Sequence, residues 1–346
     1  MKANADVVPV SDRLRFDESA LDRHLKEHVD DFTGLTDITQ FRGGQSNPTY
    51  LVTTPAAKYV LRRKPPGKLL PSAHAVDREF RVISSLAGAY PVPKAILLCE
   101  DETVIGTPFY LMEYVEGRIF WDPTLPGHTT DERRAIFDEM NRVLALLHSL
   151  DYTVLGLGEY GKPGNYFARQ IDRWTKQYRA SETETIEAMD NLIEWLPQNI
   201  PPGDETCLVH GDYRLDNLIF HPEKPRILAV LDWELSTLGH PLADFAYHLM
   251  TWRLPPGTFP GLAGADLPTL GIPTEPEYVE AYCERTGRDE IDNLDFYLAY
   301  NLFRLAGILQ GIMGRVRDGT ASSAKAAEMG KLARPLAELG WQQATG

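Results

Sequence analysis

Residues 207–234 read CLVHGDYRLDNLIFHPEKPRILAVLDWE, and this stretch constrains the fold of the chain more than any other. Three short apolar runs (Cys207–Val209, Leu218–Phe220 and Ile227–Leu231) are separated by polar segments. Short apolar runs bounded by turn formers predict strand, loop, strand, turn, strand. The polar residues His210, Gly211, Asp212, Asn217 and Asp232 then fall at the strand ends. A polar hairpin whose Asp and Asn only cap turns shares this local pattern. It leaves unexplained why His-Gly-Asp, an Asn five residues on, and an Asp closing the next hairpin occur in that order.

That ordered set suits phosphoryl transfer. The migrating phosphoryl carries charge that must be offset, so the protein mainly positions groups and holds metal. Asp212 fits the carboxylate that orients a nucleophilic hydroxyl and accepts its proton. Asp232 and Asn217 fit the hard oxygen ligands of a Mg2+ ion that bridges phosphates.

The H-x-D-x-x-x-x-N spacing matches the kinase catalytic loop. With Asp232-Trp233-Glu234 downstream, the chain resembles the aminoglycoside phosphotransferase and choline kinase superfamily, small-molecule kinases with a protein-kinase-like fold. The resemblance implies an α+β, two-lobed fold. Residues 1–115 would form a small N-terminal lobe with an antiparallel sheet and one key helix. Residues 116–346 would form a larger, mostly helical C-terminal lobe. ATP and Mg2+ are the implied cofactors, and a small-molecule hydroxyl is the implied acceptor. Gly211 stands where protein kinases usually carry Arg, Asp232-Trp233-Glu234 replaces D-F-G, and no A-P-E follows, which disfavours a protein acceptor. By the same resemblance, Asp244 braces the catalytic loop and Glu234 lies close to the metal.

The N-terminal third carries the expected nucleotide contacts. Gly43, Gly44, Ser46 and Asn47 lie in a loop between two predicted strands. Adjacent glycines there bring backbone N–H groups close to phosphate oxygens. A hairpin turn explains the same residues equally well, but the loop also resembles the superfamily's shortened nucleotide loop. Lys58–Lys64 reads as a strand, with Arg62 where kinase-like folds place the phosphate-binding lysine. An arginine does that work bidentately. Arg63 and Lys64 read as a solvated basic edge. A helix predicted over 72–86 turns Val76, Phe80 and Ile83 inward, and Glu79 is the candidate partner for Arg62, with Asp77 and Arg78 competing nearby. Met112–Gly117 resembles the hinge between lobes, which makes Glu113 and Val115 candidate adenine contacts.

Bulk properties exclude more than they assign. A net charge of −14 disfavours general nucleic-acid binding and a basic membrane-surface role. No apolar run approaches the length of a membrane span, and the N-terminus lacks the apolar core of a signal peptide. Cys99, Cys207 and Cys283 lie far apart in no C-x-x-C pair, which reads as buried thiols in a reducing, cytoplasmic compartment. Residues 1–16 read as a loose arm. Residues 133–150 and 166–178 carry apolar residues at helical spacing. Arg169, Arg173 and Lys176 share one helix face, suited either to an anion such as a CoA pyrophosphate or to pairing with the acidic segment after it. Residues 251–275 hold five Pro and four Gly and read as a lid, binding loop or linker.

Three functions fit these observations. VLRRKPPGKLLPSAHAVDREF, YFARQIDRWTKQY and LVHGDYRLDNLIF look most like the phosphotransferase branch found fused to acyl-CoA dehydrogenases, which implies a hydroxyacyl-CoA acceptor. The acidic balance also suits a cationic amino-sugar such as an aminoglycoside. A nucleotide-binding regulatory module without catalysis is the reading from a different class, lowered because the catalytic Asp, the metal Asp and the basic strand residue are all in place.

Overall fold

The structure is a computed structural model and describes residues 7–42, 47–67, 74–256, 259–319 and 326–346. Contacts divide the chain into two interleaved units. One comprises Met1–Trp121, Tyr152–Tyr160 and Arg214–Ser236, and the other Asp122–Asp151, Gly161–Tyr213 and Thr237–Gly346. They are called here the sheet unit and the helical unit. They are a different partition from lobes cut once at residue 115, because residues 152–160 and 214–236 fall with the sheet.

The sheet unit is built on six antiparallel strands: β1 (Val7–Pro9), β2 (Asp37–Phe41), β3 (Thr49–Thr53), β4 (Lys58–Arg63), β5 (Ala95–Cys99) and β6 (Phe109–Glu113). Their spatial order is β1-β2-β3-β4-β6-β5. Helix α1 (Glu18–His28) starts where the Asp17 side chain accepts the N–H of Ala20, satisfying one orphan donor of the first turn. It buries Leu21 and Leu25 against Ile38, Tyr50, Val52, Leu61, Phe109 and Leu111 of the sheet. Each such leucine contributes about 1.5–3 kcal/mol by leaving water. Helix α2 (Val76–Leu86) buries Val76, Glu79, Val82, Ile83 and Leu86 on one stripe, and a short α3 (Glu102–Ile105) joins β5 to β6.

Two expectations are overturned here. The arm is not loose from residue 7 onward, because Val7–Pro9 pairs with Thr39–Phe41 as an edge strand. Proline is tolerated there because an edge residue need not donate to a neighbour. Arg63 is not a solvated edge residue either, since β4 is an interior strand and Arg63 is 2% exposed. Its guanidinium donates to Tyr50 Oη (3.2 Å), Ile105 O (3.1 Å) and Leu14 O (3.0 Å) and lies 4.9 Å from the Phe16 ring centroid. The supposedly free N-terminal segment thus supplies part of its cage. Lys64 is half-buried just past the strand end.

The predicted hairpin also belongs to the sheet unit. Strands β8 (Leu218–Phe220) and β9 (Ile227–Val230) pair antiparallel, with Leu218 opposite Val230. Val230 N–H donates to Pro91 O, and Phe220 exchanges backbone bonds with Arg118. Gly117 allows that approach: a Cβ on it would lie 2.4 Å from Phe220 O.

The helical unit holds α4 (Thr130–Ser149), α5 (Tyr166–Ser181), α6 (Glu187–Gln198), α7 (Pro241–Leu249), α8 (Leu267–Leu270), α9 (Glu275–Thr286), α10 (Leu294–Arg317), α11 (Ala326–Gly330) and α12 (Ala333–Thr345). A small antiparallel pair, β7 (Cys207–Val209) and β10 (Thr237–Gly239), runs among them. Reciprocal capping boxes, Thr129 with Glu132 and Thr274 with Glu277, fix the starts of α4 and α9. Helix α10 is buried on every face from Phe296 to Gly307, as a central helix must be, and packs against α5, α6, α7 and α12. The described part of 251–275 is anchored rather than linker-like. Arg253 pairs bidentately with Glu275, Trp252 Nε1 donates to Pro273 O, and Leu254, Leu262 and Ile272 are buried.

An N-terminal antiparallel sheet with supporting helices, followed by a region dominated by long helices, is the α+β, two-lobed, protein-kinase-like class of fold. Among the described residues no helix is long and apolar enough to cross a membrane.

Candidate active site

In the sheet unit, three segments far apart in sequence meet on one guanidinium. Arg62, near the end of β4, sets Nε 2.9 Å from Glu79 Oε2 of α2, an ion pair whose angle falls short of a hydrogen bond. Its Nη2 donates to Asp232 Oδ1 at 2.6 Å and lies 3.4 Å from Glu234 Oε2. Arg62 and Glu79 side chains are 9% and 1% exposed, whereas Asp232 and Glu234 are 30% and 23% exposed. One end of the cluster is therefore sealed and the other open to solvent. Asn47 Nδ2 (2.8 Å) and Tyr110 Oη (3.0 Å) also donate to Glu79. Burial pushes the Glu79 carboxyl up, and Arg62 pulls it back down. Burial likewise opposes the charge on Arg62, but Glu79 and then Asp232 outweigh it and raise its pKa further.

The hairpin explains why Asn217 and Asp232 come from one place. Leu218 and Val230 are in register, so the residues before β8 and after β9 share one end of the ladder. The Asn217 carbonyl accepts the N–H of Leu231, the neighbour of Asp232. Asp232 itself is left-handed, with φ 65° and ψ 61°. Such a backbone costs about 1 kcal/mol or more and persists where its surroundings over-determine it. Here Trp233 Nε1 donates to Val230 O, Ser236 Oγ to Trp233 O, and Trp233 packs edge-on against Tyr90.

The chain passes into the helical unit on the other side of the bond between Tyr213 and Arg214, so His210-Gly211-Asp212 belongs there. Asp244 of α7 accepts the N–H of His210 (2.7 Å) and of Gly211 (2.8 Å), and His148 Nε2 lies 3.3 Å from it. Burial alone would raise the Asp244 carboxyl; the contacts to His148 and His210 outweigh it and hold it below the ordinary range. Gly211 has φ 82°, which only glycine adopts without strain, and its carbonyl accepts from Arg304 Nη2 at 2.8 Å. The Tyr247 hydroxyl donates to Asp212 Oδ1.

Gly43, Gly44 and Ser46 lie outside the described residues. Asn47 is fully buried; its Nδ2 donates to Glu79 Oε1, and its Oδ1 lies 3.1 Å from His74 Nδ1. Glu113 ends β6 opposite Tyr59, and Val115 follows two residues later in irregular chain; both are half-buried. On α5, Lys176 pairs with Asp172 and Arg169 donates to Lys162 O, while exposed Arg173 lies 5.4 Å from the Trp174 ring centroid. Tyr110 and Tyr247 were not singled out from sequence. The signal for Tyr247 was available, since it stands three residues after Asp244 on the same helix face.

The donor set fits a magnesium ion. Two carboxylates already converge on one cationic nitrogen, both are partly exposed, and an amide oxygen comes from the same hairpin end. Mg2+ in phosphoryl transfer takes one or two carboxylates from a protein and fills its shell with phosphate oxygens and water.

Comparison with known proteins agrees with the geometry. The model of the phosphotransferase enzyme family matches residues 37–297. A crystal structure from Ralstonia eutropha, provisionally named an aminoglycoside phosphotransferase, superposes with a TM-score of 0.87 at 58% identity, covering 95% of this chain and 98% of that one. Mouse acyl-CoA dehydrogenase family member 10 is 52% identical over 97% of the chain, and rat family member 11 is 45% identical over 99%. The chain spans only 32% and 45% of the lengths of these two relatives. The chain belongs to the phosphotransferase enzyme family, whose defining biochemistry is phosphoryl transfer dependent on ATP and Mg2+.

Proposed function

We propose that this phosphotransferase moves the γ-phosphoryl of ATP to a hydroxyl of a hydroxyacyl-CoA. Asp212 orients that hydroxyl and takes its proton as the oxygen attacks phosphorus and ADP leaves. Asn217 and Asp232 hold Mg2+, with Glu234 beside them. When bound, the ion offsets charge developing on the phosphate oxygens. Arg62, kept in place by Glu79, pairs with the phosphates, and the loop at Gly43, Gly44, Ser46 and Asn47 covers them. Backbone groups of Glu113 and Val115 meet the adenine. The lobes 1–115 and 116–346 are the nucleotide and acceptor sides in this reading.

The observation that supports it most is the convergence of Arg62, Glu79 and Asp232 on one cluster. A buried ion pair opening onto two further carboxylates has no structural need of the second pair. The acyl-CoA part rests on relatives named acyl-CoA dehydrogenases and on Arg173, an exposed cation lying against Trp174. A cytoplasmic location accords with three buried, unpaired cysteines. The provisional name of the Ralstonia protein favours an aminoglycoside as a second acceptor class.

The test is an ATP-dependent phosphorylation screen read by mass spectrometry, over 3- and 4-hydroxyacyl-CoAs, free hydroxy acids, aminoglycosides and choline, with Asp212→Ala as blank. Phosphate gained on a hydroxyacyl-CoA supports the proposal. Gain only on an aminoglycoside replaces the acceptor class. Mg-ATP binding with no transfer to any of them favours a regulatory module.

A further inference from the structure

Helix α7 acts twice on the His210-Gly211-Asp212 loop. Asp244 and Tyr247, three residues apart, share one face of the helix. Asp244 holds the loop backbone through the N–H groups of His210 and Gly211, and Tyr247 reaches the Asp212 side chain. Tyr247 is 9% exposed, and its ring lies 5.1 Å from the Arg304 guanidinium, which donates to Gly211 O. Arg304 also lies 5.8 Å from the Trp174 ring, so Tyr247 stands in a packed frame that leaves its hydroxyl little freedom to turn elsewhere.

We propose that Tyr247 is a positioning residue for phosphoryl transfer: its hydroxyl, framed by Arg304, fixes the Asp212 carboxylate in the orientation that receives the acceptor's proton. The inference rests on Asp212 being the base. One physical effect follows: a fixed carboxylate removes rotational freedom that would otherwise be lost in the transition state. Charged or titratable groups around this pair include Arg304 from α10, His210 within the loop, Asp244, which holds the loop's backbone, and His148, which contacts Asp244. Tyr166 and Tyr300 lie around Arg304, whose guanidinium stays ionised although burial opposes it, supported by these tyrosines, Tyr247 and Asp212.

The experiment is steady-state kinetics on Tyr247→Phe, on fluorotyrosine placed at position 247, and on both Asp212→Asn and Asp212→Asn/Tyr247→Phe. Tyr247→Phe is expected to lower kcat by about tenfold with KM for ATP within twofold. Fluorotyrosine, which keeps a hydroxyl donor of nearly the same size, should retain most of the wild-type kcat. In the Asp212→Asn background the Phe change should cost nothing further, since the bond it removes is already altered. The inference is overturned by wild-type kcat in Tyr247→Phe, or by a loss in the fluorotyrosine variant as large as that in Tyr247→Phe. It is equally overturned if kcat, KM and melting temperature worsen together and the loss adds in full to Asp212→Asn. Should Asp212→Asn alone keep its activity, the assignment of the base fails first, a result distinct from either.

Discussion

The Arg62 cluster of the sheet unit and the His210-Gly211-Asp212 loop of the helical unit are held by opposite means. In the first, ionised side chains from three distant segments hold one another, and the backbone contributes only the turn at Asp232. In the second, the backbone itself is gripped: both N–H groups ahead of Asp212 end on Asp244, and the Gly211 carbonyl ends on Arg304. Side-chain charges can be re-partnered when a polyanion and a cation arrive. A loop gripped by its backbone keeps its shape whatever binds. Under the proposed function, the Arg62 cluster would exchange partners while Asp212 stays still.

The sharpest way to break this contrast is at the base. Asp212→Asn should lower kcat by about 10³-fold while leaving ATP affinity within a factor of two, read by single-turnover transfer and by calorimetry. Loss of ATP affinity instead would make Asp212 part of the nucleotide site. On the other side, Arg62→Met strands a carboxylate that is 1% exposed. It should destabilise the fold by about 3–5 kcal/mol in urea titration. Adding Glu79→Gln should restore much of that, because both charges are then gone, yet transfer should remain lost.

Acid separates the units next. Burial holds His240 and His248 down to about 4, against an unfolded value of 6.5. The unfolded chain then binds more protons between those values, so the stability these neutral imidazoles contribute is complete above pH 6.5. It is lost as the pH falls towards 4, on the order of 3 kcal/mol from each. Hydrogen exchange at pH 5 should show α7 amides losing protection before those of β3 and β4. The reverse order would place the acid-sensitive element in the sheet unit. The smallest effect expected is from Asp244→Asn, which keeps one acceptor oxygen for two N–H groups. It should cost about 2 kcal/mol and slow transfer, with no change in the Mg2+-linked thermal shift.

The order of motifs along the chain made the β8–β9 hairpin legible, because strand ends and turn residues are written locally. Glu79 was separable from its neighbours only by periodicity. It lies on the α2 stripe with Val76, Val82 and Ile83, and Asp77 does not. Arg63 was misread because no local pattern reveals that β4 is interior or that Leu14, 49 residues earlier, supplies a carbonyl. Nothing local marks Arg304, since a charge inside an apolar helix is explained only by what packs around it. Tyr247 had a spacing signal that pointed to the loop but not to which atom it would meet.

The interleaving of the two units has a consequence for synthesis. Arg62 leaves the ribosome 170 residues before Asp232. Until Ser236 has emerged, the sheet unit lacks its last segment, and the Arg62–Glu79 pair has no carboxylate on its open side. A growing chain therefore cannot finish its first-made half early. Nascent chains stalled before residue 232 should stay open to protease around β4 and α2, and those stalled after residue 236 and clear of the tunnel should not.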